Sequence, residues 1–235
     1  MIYDRLMAIN GAAAVGLWQQ GRERRELMGT IGAAEFQALL LEAPAETNVS
    51  RGAALVAVHG PMVPRASRLE QLFFGAVSTF GLEAEMRALA EDDEVEVIVL
   101  DINSPGGDVR GMPELAATVR DVREKKPVIA LGNVDALSAA YWLASQATEI
   151  VGVQSSRFGS MGAFFKHADF SGALKAEGIV VTEFALGARK LEFSSGGPLD
   201  DEAKARINDL LAGIVDGMVD DVAAGRRMPR EQVQK

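Results

Sequence analysis

From about residue 51 onward, short apolar runs alternate with stretches whose apolar positions recur every three or four residues. The runs are 54–58, 95–100, 128–131, 149–153 and 179–184. Each has the length of a strand and is rich in Val, Ile, Leu or Ala. Such near-continuous runs predict parallel strands buried on both faces beneath helices. Between and after them the spacing predicts helices over 78–91, 112–125, 139–147, 163–177 and 200–224. In the first, Phe80, Leu82, Met86 and Leu89 are the apolar positions. In the second, Leu115, Val119 and Val122 form the stripe and Pro113 suits the first turn. Strands alternating with crossovers of this length predict an α/β fold.

The first 50 residues read differently. Arg22, Arg24 and Arg25 sit among Glu23 and Glu26, and Phe36, Leu39, Leu40 and Leu41 have the spacing of a short helix. The stretch 43–48, with Pro44 among small and polar residues, has the chemistry of a linker. The expected organisation is therefore an N-terminal segment over 1–50 and one domain over 51–235.

Composition narrows the chemistry. Lys and Arg number 24 against 33 Asp and Glu, a formal charge of −9, which disfavours a protein that tracks nucleic-acid phosphates. Cysteine is absent, which removes disulfides, thiolate metal sites and a thiol nucleophile. Only two histidines occur, His59 and His167, leaving few routes to a metal site or a histidine-based triad. The uncharged stretch 7–21 contains Asn10, three glycines and two glutamines, too short and polar for a membrane span. It also makes a weak leader, because Asp4 offsets Arg5. A cytosolic protein is expected.

Two strand-to-helix turns carry candidate chemistry. The run 95–100 leads into Asp101-Ile102-Asn103-Ser104-Pro105-Gly106-Gly107-Asp108. Adjacent glycines there leave backbone N–H groups unobstructed, able to hold an oxyanion, although a plain turn needing positive φ explains Gly-Gly equally. No Gly-Lys-Ser/Thr follows, so this is not a phosphate loop. The run 128–131 leads toward Ser138-Ala139-Ala140-Tyr141-Trp142. Ser138 stands either as an ordinary helix cap or as a nucleophile at a helix N-terminus. A nucleophile needs a base. His59, His167 and Lys190 are the candidates, and Arg189 beside Lys190 would disfavour a second positive charge.

Four motifs in order, Asn103-Ser104-Pro105-Gly106-Gly107, Ser138-Ala139-Ala140-Tyr141-Trp142, Gly159-Ser160-Met161-Gly162 and Gly187-Ala188-Arg189-Lys190, resemble those of signal peptide peptidase A-like serine proteases. The Ser-Ala-Ala-Tyr-Trp form looks most like the phage branch of capsid-assembly (prohead) proteases. The resemblance extends over about 53–232 and implies a Clp-protease/crotonase-like fold and a Ser-Lys dyad. By motif, Ser138 would be the nucleophile and Lys190 the general base. The N–H groups of Gly107 and Ala139 would form the oxyanion hole, with Gly106 shaping it and Ser160 orienting the lysine. The family needs no metal or cofactor. It implies scaffold or coat polypeptides as substrates, a homo-oligomer, and a location in a bacterial cytoplasm or a prohead interior, with no nucleic-acid or membrane partner.

Ala139 and Ala140 replace glycines common in bacterial members, and Met161 replaces a common isoleucine. The family's Gly-Leu-Val-Asp-like closing element is not in the chain, so a truncated domain is expected. The alternatives are a Clp-like peptidase using Ser138 with His167, a non-catalytic scaffold-binding protein and, last, an acyl-CoA enzyme. Phe73-Phe74 and Phe164-Phe165 are candidate pocket, core or interface residues, and 65–75 is a candidate substrate or oligomer loop.

Overall fold

The computed structural model describes residues 47–234. The expected helix around Phe36–Leu41 and most of the linker lie outside the described residues. Within them the elements run β1 (Asn48–Ser50), β2 (Ala53–His59), β3 (Met62–Val63), α1 (Arg68–Phe74), β4 (Val77–Ser78), α2 (Thr79–Glu91), β5 (Val97–Ser104) and α3 (Met112–Arg123). The chain continues through β6 (Val128–Leu137), α4 (Ala139–Ala144), β7 (Glu149–Gly152), β8 (Arg157–Gly159), α5 (Ser171–Ala176), α6 (Asp201–Arg226) and α7 (Arg230–Val233).

The main sheet has the order β1-β2-β5-β6-β7, with β8 also paired to β6. All its pairs are parallel except the edge strand β1, antiparallel to β2. Residues 48–50, assigned to the N-terminal segment from sequence, thus complete the sheet. A small parallel pair, β3–β4, lies apart. This is the α/β class the alternation predicts.

Side-chain alternation decides what the sheet covers. Val56, Val58, Ile98, Leu100, Ile102, Val128 and Ala130 are buried in one core with Leu82, Met86, Leu115, Val119, Leu143, Met218 and Val222. These contacts place α2, α3, α4 and α6 on one face. The other face is not closed: Leu55 and Val151 remain 46% and 44% exposed. The expectation of strands buried on both faces therefore holds for one face only.

Local signals set the helix ends. Ser78 Oγ accepts from Gly81 N–H at 3.0 Å at the start of α2, and Asp200 caps α6 through Ala203 N–H at 2.6 Å. Ser67 and Glu70 form a capping box on α1, so the expected 65–75 loop is mostly helix.

Three further expectations are corrected. The run 179–184 is not a strand; Val180 is 89% and Phe184 91% exposed. Its β-branched residues suit a pleated, half-buried surface, but no neighbouring strand supplies one. The helix expected over 163–177 shrinks to α5, because Asp169 Oδ1 accepts from Ser171 N–H and starts the turn there. Gly178, at φ 69°, ends it. The helix expected over 139–147 stops at Ala144, where Ser145 Oγ and Gln146 Nε2 donate back to Trp142 O. No helix among the described residues is long and apolar enough to cross a membrane.

Candidate active site

Strands β5 and β6 are neighbours, and the turns that leave their carboxyl ends meet. Ser138 sits at φ 52°, ψ −122°, between β6 and α4. A β-carbon costs energy at such a φ, so a serine held there is a strained position of the kind found at nucleophile turns. It occupies the cap position but makes no capping hydrogen bond. The ordinary-cap explanation therefore loses its physical basis. Its N–H donates to Gly159 O at 2.7 Å and its carbonyl accepts from Trp142 N–H at 2.9 Å.

The Gly-Gly turn lies against it. A β-carbon on Gly106, at φ 95°, would stand 2.7 Å from both Ser138 Cβ and Leu137 O, and 2.9 Å from Ala139 N. On Gly107 it would stand 1.9 Å from Met62 O. Met62 N–H donates to Gly106 O and Asp108 N–H to Met62 O, at 2.9 and 2.8 Å. That bridge uses the groups flanking Gly107 and leaves its own N–H without an acceptor among the described residues. Ala139 N–H is likewise free, at the first turn of α4. Ser104 fixes the turn from below: its buried Oγ donates to Gly60 O at 2.6 Å and accepts from Gly106 N–H at 3.2 Å. The structure thus brings Ser138, Ala139, Gly106 and Gly107 into one locality, with unpaired amide donors beside a strained serine.

Strand β8 closes one side. Its register Leu137↔Gly159 carries Ser160 alongside Ser138, and Ser160 too has positive φ, 53°. The paired residues Asp135 and Arg157 hold this strand through a two-pronged contact at 2.7 and 2.6 Å. Gly159 and Gly162 have open space where side chains would stand.

Lys190 lies elsewhere. The chain leaves the sheet after β8 and returns at α6, and the intervening arm holds mostly to itself. His167 Nε2 meets Gly197 O at 3.0 Å, Ser194 Oγ donates to Glu183 at 2.6 Å, and the Phe165 and Phe193 rings lie 5.7 Å apart. Lys190 is exposed on this arm, and no hydrogen bond joins its amine to Ser138 or Ser160. Neither histidine bonds Ser138: His59 pairs with Asp101 at 2.9 Å, and His167 is spent within the arm.

Sequence reasoning missed the support behind α4. Trp142 Nε1 donates to Asp221 Oδ2 and Arg120 pairs with Asp221 Oδ1, each at 2.8 Å. Arg120 also donates to Gln146 Oε1 at 2.7 Å. These residues tie the serine-bearing helix to α3 and α6; only tertiary packing reveals them. A cavity of about 300 Å³ lined by Arg123, Glu124, Thr148, Gly225, Arg226 and Arg227 lies at the opposite end of the sheet. Burial, then the neighbouring Arg123 charge, lowers the Arg226 pKa there. Among the described residues no group of three or more His, Asp or Glu side chains could hold a metal ion.

A parallel α/β sheet with a strained serine at a strand-to-helix turn and unpaired amides beside it defines a hydrolase-like architecture. Residues 120–235 match Peptidase family S49. It is 33% identical over 156 residues to "Capsid assembly protease C" of Escherichia phage lambda, covering 66% of this chain and 35% of that protein. It is 32% identical over 185 residues to "Head-tail preconnector protein GP5" of Enterobacteria phage P21, covering 79% and 34%. "Protease 4" of Haemophilus influenzae is 25% identical over 194 residues, covering 80% and 30%. The chain thus spans about a third of the length of these relatives. The resemblance to signal peptide peptidase A-like and phage capsid-assembly proteases holds. Among solved structures, an enoyl-CoA hydratase from Polaromonas sp. JS666 overlaps with TM-score 0.40 at 11% identity, covering 80% of this chain and 86% of that one.

Proposed function

We propose that the chain is a serine endopeptidase whose nucleophile is Ser138 and whose general base is Lys190. The observation that carries this reading is the strained, unbonded Ser138 packed against Gly106, with the Gly107 and Ala139 amides free beside it. Ser138 Oγ attacks a peptide carbonyl as the neutral Lys190 amine takes its proton. The developing oxyanion accepts from the Gly107 and Ala139 N–H groups. The protonated lysine then gives the proton to the leaving amine, and water hydrolyses the acyl-enzyme by the same route in reverse. In this reading Ser160 accepts a hydrogen bond from the lysine amine and orients it.

Lys190 reaches Ser138 when copies assemble. Its arm exposes Val180, Phe184 and Leu186 at 89%, 91% and 99%, apolar surface that a homo-oligomer interface would bury. The proposed domain is 51–235 behind an N-terminal segment over 1–50. Scaffold or coat polypeptides are the proposed substrates, in line with the phage relatives' names. The proposed location is a host cytoplasm or a prohead interior, with no cofactor, metal, nucleic acid or membrane required.

Incubating the chain and its Ser138→Ala variant with a phage scaffold polypeptide, followed by intact-mass measurement, tests the reading. Defined cleavage products are expected from the parent chain alone. Equal cleavage by the variant would remove Ser138 from the mechanism.

A further inference from the structure

A strand without a neighbour on one side leaves a row of backbone N–H and C=O groups open to pairing. Proteins commonly blunt such edges with Pro, Lys or a bulge. The edge at β7 carries none of these. Among the described residues β7 pairs with β6 alone, and 149–153 reads Glu-Ile-Val-Gly-Val, with Val151 and Val153 exposed. The same chain holds a complementary piece. The run 179–184, Ile-Val-Val-Thr-Glu-Phe, has strand composition, and every residue in it is exposed. From Val180 to Leu186 no backbone group exchanges a hydrogen bond with another among the described residues. An open edge and an unpaired, β-prone run are the two sides of a ladder formed by strand addition.

Building on the Ser138–Lys190 reading, we propose that residues 179–184 of a second copy add to β7 as a parallel strand and so bring Lys190 to Ser138. Direction follows from Ser138, which leaves the carboxyl end of β6. A parallel run points Lys190 toward that end, whereas an antiparallel run carries it to the other. Burial suggests the register. Val151 lies level with Leu131 and Asp101 on the uncovered face, and Phe184 beside Val151 extends that row. Reach agrees with it. Gly132 is level with Ile102 and Ala136 with Ser104, two residues along β5, so Ser138 stands about five rungs beyond Leu131 and Val151. At about 3.3 Å per rung and two strand spacings of about 4.8 Å, the diagonal is about 19 Å. The six residues from Phe184 to Lys190 span up to about 20 Å, and the lysine side chain extends further. Such a contact is heterologous, so each copy gives one lysine and receives one.

The chain has no cysteine, so disulfides placed by substitution report the pairing directly. In a Ser138→Ala background, Val151→Cys chains are mixed under mild oxidation with Phe184→Cys or Val180→Cys chains. Strands about 4.8 Å apart lie within disulfide reach. Linkage between unlike chains should be at least tenfold faster through Phe184→Cys than through Val180→Cys. Faster linkage through Val180→Cys, or none above a Glu114→Cys control on α3, overturns the proposal. So does a disulfide closed within one chain carrying both Val151→Cys and Phe184→Cys. Backbone pairing also has a period of two. Val181→Pro and Thr182→Pro each remove one N–H, and a proline is tolerated only where that N–H faces away from the partner strand. One of the two should weaken association at least tenfold in sedimentation, and the other less than threefold. Equal effects, no effect, or a parent chain that does not associate overturns it. If pairing fails while Lys190→Ala still abolishes cleavage, the dyad stands and only its route of assembly falls.

Discussion

Around Ser138 the backbone is held from several sides: Gly159 through β8, Gly106 through the Met62 bridge and Ser104, and α4 through Trp142 and Asp221. Around Lys190 the ties are fewer: its own N–H donates to Gly187 O at 3.2 Å, Glu192 two residues on pairs with Arg206 of α6, and the arm exposes apolar side chains. One half of the proposed machinery is preorganised within a single chain. The other half sits on an arm whose hydrogen bonds are mostly internal. A division of this kind places strain and precision where the proposed reaction would develop charge, and under the proposed mechanism the base must be brought to it.

The largest effect is expected at Lys190. Lys190→Ala should lower peptide cleavage by about 10²–10⁴-fold, the usual worth of a general base, while the melting temperature stays put because the side chain is exposed. If the base comes from a second copy, mixing Lys190→Ala with Ser138→Ala chains should restore activity, to about a quarter of the parent's for random assembly across a repeated interface. Persistent inactivity of the mixture, with both variants oligomeric, would return the dyad to a single chain.

On the preorganised side, Gly106→Ala puts a methyl group 2.7 Å from Ser138 Cβ at a φ that L residues avoid. A loss of about 2–4 kcal/mol in denaturant unfolding is expected, together with loss of cleavage. Wild-type stability in this variant would show that the turn yields easily and that its geometry is not enforced. Asp221→Ala acts one layer further out. It strips Trp142 Nε1 of its acceptor and leaves Arg120 its bond to Gln146, at a cost of about 1–3 kcal/mol, and should reduce cleavage less than Gly106→Ala does. An activity loss as complete as that at Gly106 would mean that α4 depends on this support far more than its other contacts suggest.

What could be read from sequence follows the same division. Strands β2, β5 and β6 and helices α2, α3 and α6 announced themselves because their apolar spacing matches the burial they achieve. The meeting of Ser138 with Gly106 was legible only through the order of short motifs; spacing along the chain cannot show that β5 and β6 are neighbours. The arm was misread because apolar content was equated with burial: 179–184 has strand composition without a strand partner, and 163–177 has helical length with a glycine, Gly172, and an Asx turn inside it. The open sheet face was misread for the converse reason, since two-sided apolar strands were taken to be covered by the helices between them. Asp221, Arg120 and Gln146 carried no local signal at all, their roles being set by contacts between α3, α4 and α6.

The smallest effect is expected where the exposed surface is greatest, and it is the most discriminating. Leu186→Ser removes an apolar side chain that is 99% exposed, so the isolated chain should keep its stability to within about 0.5 kcal/mol. If the arm is an assembly surface, the same substitution, alone or with Phe184→Ser, should shift sedimentation toward the monomer. It should also lower cleavage in proportion to the lost oligomer, with the activity of the remaining assembled fraction unchanged. If sedimentation is unaltered while cleavage falls, the arm contacts substrate rather than another copy. The contrast between a built turn and a waiting arm would then describe substrate capture, with Lys190 arriving alongside the polypeptide it helps to cut.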